Sequence, residues 1–213
     1  MDSTCFGRFE PMDLIGFSSW SGCGVAINLC SLGIPFYHLS HVGIVARHPD
    51  HPWPLLCEST NLYRKPCMVQ DKLVDGVQWH KIGPRIRSYK GLVYHYQVRV
   101  PLTPGQQSML SQFLKDMTGR SYDAFGALGA RDTLLGWLAR RGKVADLVSL
   151  FCSELVAAAG RKCGVYPQSI NASGFSPNRI IRKSVLCWKT HFRPRWIKRC
   201  PCPGSKRDSP CAG

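Results

Sequence analysis

The chain has 213 residues, enough for one sizeable core and too few for two generous ones. Hydrophobic residues make up 44% and charged residues 19%, which excludes a disordered chain, and no run reaches the roughly 18 apolar residues needed to cross a bilayer. The net charge is +15, and eleven of those charges fall after Glu154, where twelve Lys or Arg face the single acid Asp208.

Residues 1–12 read as a lead-in arm. It lacks a basic and then apolar leader pattern, and residue 2 is Asp, so neither a signal peptide nor N-myristoylation is expected. Asp13-Leu14-Ile15-Gly16-Phe17 fits a short first strand, and the Gly-rich, apolar residues 21–37 fit a turn and short helix. His41 to Arg47 is β-branched and stops at His48-Pro49-Asp50-His51-Pro52, so it reads as a strand; Leu55 to Glu58 reads as its antiparallel partner. Residues 60–90 look mixed and loop-rich. Val93 to Val100 alternates, with Tyr94, Tyr96, Val98 and Val100 on one face and His95, Gln97 and Arg99 on the other, the pattern of a half-buried strand.

The clearest helix follows. Thr103 suits the N-cap, Pro104 the first helical position, and Met109, Leu110, Phe113, Leu114 and Met117 recur at helical spacing before Gly119. Residues 121–142 read as helix plus loop. Leu147 to Ala159 is an apolar run closed by Gly160, a natural helix stop. From Arg199 onward the composition is that of a disordered tail. The expected division is a folded domain over 1–180 and a basic extension, with Cys and Pro, over 181–213. Eleven scattered cysteines without a leader point to reduced thiols in a cytosol-like compartment.

Three pieces carry chemistry once a thiol nucleophile is considered. Phe151-Cys152-Ser153-Glu154-Leu155-Val156 places a Cys at the expected start of a helix, where free N–H groups and the helix dipole favour thiolate and can hold an oxyanion. Ser40-His41-Val42-Gly43 places an imidazole at the start of a strand, where it could take the thiol proton and return it to the leaving group. Glu58, in Leu56-Cys57-Glu58-Ser59-Thr60, ends the paired strand and could hold the far imidazole nitrogen. Each has a plain structural alternative: a buried Cys, an ordinary hydrogen-bonded His, an exposed strand-end Glu. The three roles together are what a thiol mechanism needs. His38, His95 and His191 are rival bases, and Ser153 lacks the G-x-S-x-G elbow of a serine nucleophile.

DLIGF, SHVGIV, CEST, GRSYD and FCSELV, in this order across roughly residues 11–180, resemble the permuted papain-like thiol enzymes of the YaeF/YiiX type. These lie in the NlpC-like superfamily, with the lecithin:retinol acyltransferase-like proteins. The resemblance implies an α+β fold, circularly permuted papain-like, with an antiparallel sheet packed against helices. It implies Cys152 as nucleophile, His41 as general base and Glu58 as orienting group. It places Tyr122, with Ser153 beside the nucleophile, on the oxyanion and substrate side, and it has Ser176-Pro177-Asn178 line the pocket. Residues 126–144 are long for a simple connection and suggest an inserted cap.

The activity implied is a cysteine hydrolase that cleaves an amide or peptide bond, or an ester, through an acyl-thioester, with no metal or cofactor. Two alternatives stand beside it: a lipid acyltransferase or phospholipase-like thiol enzyme at membranes, and a non-catalytic binding module on the same fold. The substrate is accordingly a peptide, amide or lipid ester.

The remaining signals lie at the C-terminal end. Cys187, His191, Cys200 and Cys202 fit the usual zinc spacings poorly. The two thiols of Cys200-Pro201-Cys202-Pro203 could instead carry lipid. Residues 187–199 interleave aromatics with basic charge, as at an anionic membrane surface, or else pack their Trp residues inward and turn their charges to water. No specific nucleic-acid motif is present.

Overall fold

In a computed structural model the protein is described over residues 8–18, 39–61, 63–121, 144–172 and 175–197, side chains of 144–151 excepted. Tyr122, His38, most of the expected cap and the tail after Ile197 lie outside the described residues.

Six strands form one antiparallel sheet. They are β1 (Leu14–Ser18), β2 (His41–Arg47), β3 (Pro54–Thr60), β4 (Gly76–His80), β5 (Leu92–Tyr96) and β6 (Arg195–Trp196), in the order β4-β3-β2-β1-β5-β6. The α+β architecture, an antiparallel sheet packed against helices, is the one expected from the sequence. Because side chains alternate across a strand, the register stacks Trp79, Cys57, Ile44, Leu14 and Tyr96 in one row across five strands. All five belong to the larger core cluster. Helices α2 (Pro104–Met117), α3 (Val144–Lys162) and α4 (Pro177–Arg182) contribute to that cluster. The opposite face carries a smaller cluster, Ile15, Phe17, Val45, Leu56 and Val93, under Ile82 and Ile86 of α1 (Ile82–Ser88).

Cover on both faces explains two departures from the sequence reading. The expected loop-rich stretch 60–90 contains β4 and α1. β5 is not a half-buried strand: His95, expected on the polar face, is only 8% exposed and sits beside Asp13. The strand also ends at Tyr96; Val98 makes an isolated bridge to His191, and Val100 is exposed.

Helix α2 starts as its sequence suggests. Thr103 Oγ1 accepts from the Gln106 N–H, Gln106 Oε1 accepts from the Thr103 N–H, and Pro104 follows at the first position. Leu110 and Leu114 are buried, whereas Met109, counted on the apolar face, is 44% exposed.

Gly160 is not a helix stop. It lies inside α3, and a Cβ there would come within 2.2 Å of Tyr166 Cδ2. The missing side chain admits the Tyr166 ring against the helix; the chain turns at Gly164, whose φ of +75° favours glycine.

The described part of the C-terminal stretch joins the same body. α4 continues as a π-helical turn, Lys183–Cys187, His191 is buried, and β6 pairs with β5. Trp188 packs against Tyr166 and Phe175, with ring centroids at 4.8 and 5.9 Å, while Trp196 is 53% exposed.

Candidate active site

His41 opens β2, and three contacts fix its approach. The Leu39 N–H donates to Asn178 Oδ1 at 2.9 Å, which ties the segment before β2 to α4. The Ser40 N–H donates to the Phe17 carbonyl at 2.9 Å, and the Ser40 hydroxyl donates to the same oxygen at 3.2 Å. The Phe17 ring lies 5.5 Å from the imidazole, centroid to centroid.

Glu58 shares a face of β3 with Leu56 and Thr60, because it is two residues from each. Its carboxylate Oε2 accepts from His41 Nε2 at 2.6 Å. Arg85 grips the same carboxylate with two donors, Nε to Oε1 at 2.6 Å and Nη2 to Oε2 at 3.0 Å. Arg85 lies three residues after Ile82 and one before Ile86, so α1 delivers it to the apolar side on which Glu58 lies. There the guanidinium stands over the rings of Phe17, Tyr63 and Tyr89 at 4.5, 4.3 and 5.5 Å. Glu58 is fully buried, and Arg85 is 5% exposed.

These contacts set the charges. Burial works to raise the Glu58 carboxyl, but the Arg85 charge and the His41 hydrogen bond hold it well below the usual carboxylate range. Burial alone would lower His41. The charge on Cys152, its hydrogen bond to the imidazole, and then Glu58 raise His41 instead, to about 9. Since Nε2 is occupied by Glu58, Nδ1 is left for the sulfur. In the neutral imidazole the proton then sits on Nε2, and the Nδ1 lone pair faces the thiol.

Cys152 comes from α3, which packs on β2 and β3. Its expected seat at the start of the helix is not found. Cys152 is the ninth residue of Val144–Lys162, so the free N–H groups and the dipole end lie roughly two turns earlier. The physical reason is that the helical segment begins at Val144, upstream of the apolar run that sequence reading starts at Leu147. Within a helix the N–H of Cys152 or Ser153 is engaged with the preceding turn, which removes it as an oxyanion donor. The group positioned to act on the sulfur is therefore His41 and not the helix dipole. Ser153 is buried and its hydroxyl donates to the Phe175 carbonyl, tying α3 to the segment leading into α4. Asn178, expected to line a pocket, accepts from the Leu39 N–H and so holds the approach to β2.

The two rival bases among the described residues are engaged elsewhere. His95 Nε2 donates to Asp13 Oδ2 at 2.6 Å. His191 uses Nε2 on the Met12 carbonyl at 3.0 Å and Nδ1 with Thr190 Oγ1 at 3.0 Å, and burial lowers it to about 4. With both nitrogens engaged, His191 has none to offer a metal. Among the described residues no group of three or more His, Cys, Asp or Glu could hold a metal ion, and no helix is long and apolar enough to cross a membrane.

Arg85 is the residue that sequence reasoning missed, although its spacing between Ile82 and Ile86 was a usable signal. The sequence pointed to Asn178, but nothing local marks its partner Leu39, 139 residues away.

No family model and no curated protein matches the chain. Among solved structures, the metalloprotein yiiX from Escherichia coli O157:H7 is similar, with a TM-score of 0.48 and 19% identity over 75% of this chain and 69% of that one.

Proposed function

We propose that this chain is a thiol hydrolase that opens an amide or peptide bond through a Cys152 thioester. The observation that carries the reading is one imidazole joined on its two sides to a buried carboxylate and to the Cys152 side chain.

Below about pH 9 His41 holds the proton taken from Cys152, and the thiolate attacks the substrate carbonyl carbon. His41, now imidazolium, is stabilised by ionised Glu58, and it returns its proton to the leaving amine as the C–N bond breaks. The thioester remains on Cys152. Water, deprotonated by His41, then attacks the thioester carbon and releases the acid and the thiol. Glu58 does not change protonation in either step, because Arg85 keeps it ionised. Arg85 is a positioning residue: it reaches the reaction only through Glu58.

The test is turnover by the intact protein of a panel of peptide amides, peptidoglycan fragments and phospholipid esters, with mass spectrometry of the trapped adduct. Amide or peptide turnover with an acyl group on Cys152 supports the proposal. Release from phospholipid esters alone would replace it with a lipid-directed thiol enzyme. No turnover, with no adduct on Cys152, would leave a binding module.

A further inference from the structure

The C-terminal stretch contributes a surface that plays no part in this chemistry. Residues 97–100 and 189–193 run side by side: the Phe192 N–H donates to the Gln97 carbonyl at 2.9 Å, the Arg99 N–H to the Thr190 carbonyl at 3.0 Å, and Val98 bridges His191. β6 then closes the sheet edge, with Trp196 opposite Tyr94 and Arg195 opposite His95.

Three anchors fasten the stretch: Val185 is 5% exposed, His191 0% and Ile197 7%. Beside each anchor a large apolar side chain points out: Leu186 at 50%, Phe192 at 42% and Trp196 at 53%. Val100 adds a fourth, at 74%. The cations of the two segments are Arg99, Arg182, Lys183, Lys189, Arg193 and Arg195, and neither 97–103 nor 182–197 contains Asp or Glu. Arg99 lies over the Phe192 ring at 4.7 Å, so charge and apolar surface are interleaved on one ribbon.

A segment packing only for stability turns its Trp inward and its charges outward, as Trp188 does here. Trp196 and Phe192 do not follow that pattern. Exposed Trp, Phe and Leu among fixed cations suit the boundary between lipid headgroups and acyl chains, where rings and aliphatic groups enter and the cations meet anionic headgroups. Leu186 and Val100 have no π-face for a base to stack on, which favours a membrane over single-stranded nucleic acid.

We propose that this ribbon, Leu186 to Trp196 with Arg99 and Val100, docks the protein on an anionic membrane surface. The surface is independent of the thiol reading, so the two proposals fail separately.

The experiment is co-sedimentation of the full chain with vesicles of phosphatidylcholine, with and without about 30% phosphatidylserine, at near-physiological salt. Cys152→Ala should bind like the parent. Binding to the anionic vesicles should be at least tenfold tighter than to the neutral ones, consistent with a contribution of about fivefold per cation. Arg193→Glu with Arg195→Glu should reduce partitioning by about 25-fold or more, and separately Phe192→Ala with Trp196→Ala by about tenfold. All four positions are exposed, and a thermal melt matching the parent verifies the fold. Equal binding to both vesicle types would overturn the proposal. So would undiminished binding by the ribbon variants, which would assign it to another part of the chain. Retention on a single-stranded oligonucleotide that depends on Trp196, without vesicle binding, would overturn it in favour of nucleic acid.

Discussion

Two histidine–carboxylate pairs lie in the same sheet with the same short contact. His41 Nε2 meets Glu58 at 2.6 Å, and His95 Nε2 meets Asp13 at 2.6 Å. Both carboxylates are fully buried. What differs is everything else around them. Asp13 is held by backbone donors, the Val98 and Glu10 N–H groups at 2.9 and 3.0 Å, and the Phe9 ring lies 4.9 Å from the His95 ring, centroid to centroid. Glu58 is held by a guanidinium, and His41 meets a thiol. A buried imidazole–carboxylate contact is thus a structural tie by default. In the mechanism we propose, the thiol beside His41 is what distinguishes a reactive pair from a structural one.

The largest effect that could break this contrast is loss of the thiol. Cys152→Ala should remove turnover by about a thousandfold or more, measured as kcat/KM on an amide substrate. His95→Gln should leave kcat/KM unchanged. Equal losses in the two variants would erase the distinction between the pairs.

Next in size is Glu58→Gln. It should lower kcat by about a hundredfold or more, since the imidazolium loses its charged partner. Leaving Arg85 buried and unpaired should also cost about 3–5 kcal/mol of stability. Arg85→Met should cost a similar amount by stranding the carboxylate. Combining the two substitutions should recover part of the loss, and urea unfolding of all four proteins measures that coupling. Asp13→Asn, by contrast, should lower stability by about 1–3 kcal/mol with activity retained.

The pH responses should run in opposite directions. His41 is raised to about 9, so its contribution is complete below its ordinary value of 6.5 and disappears as pH rises through about 9. Turnover should fall along the same limb. His191 is lowered to about 4 by burial, so its contribution is present above 6.5 and is lost as pH falls from 6.5 towards 4. A pH series of melting temperatures, set beside the pH–rate curve, separates the two. The smallest expected effect is at a packing position: Gly160→Ala should destabilise by about 1–3 kcal/mol, read from the shift in the denaturant midpoint.

β2, β3 and the capped helix α2 are legible in the sequence because their signals are local: alternation, turn residues, a capping box. His41, Glu58 and Cys152 are legible too, and the fold brings them together from β2, β3 and α3. The place of Cys152 along its helix is not, because an apolar run marks where a helix is buried, not where it begins. His95 reads as solvent-facing because alternation shows that two faces differ, not that one is wet; α1 and its neighbours cover the second face. Gly160 read as a stop because glycine also serves close packing, and the ring that needs the space is six residues on.

The charge of His41 should depend on Cys152, which an NMR titration of the His41 imidazole in the parent and in Cys152→Ala can measure. The midpoint should lie near pH 9 in the parent and fall clearly in the variant. An identical midpoint in the two proteins would contradict that dependence.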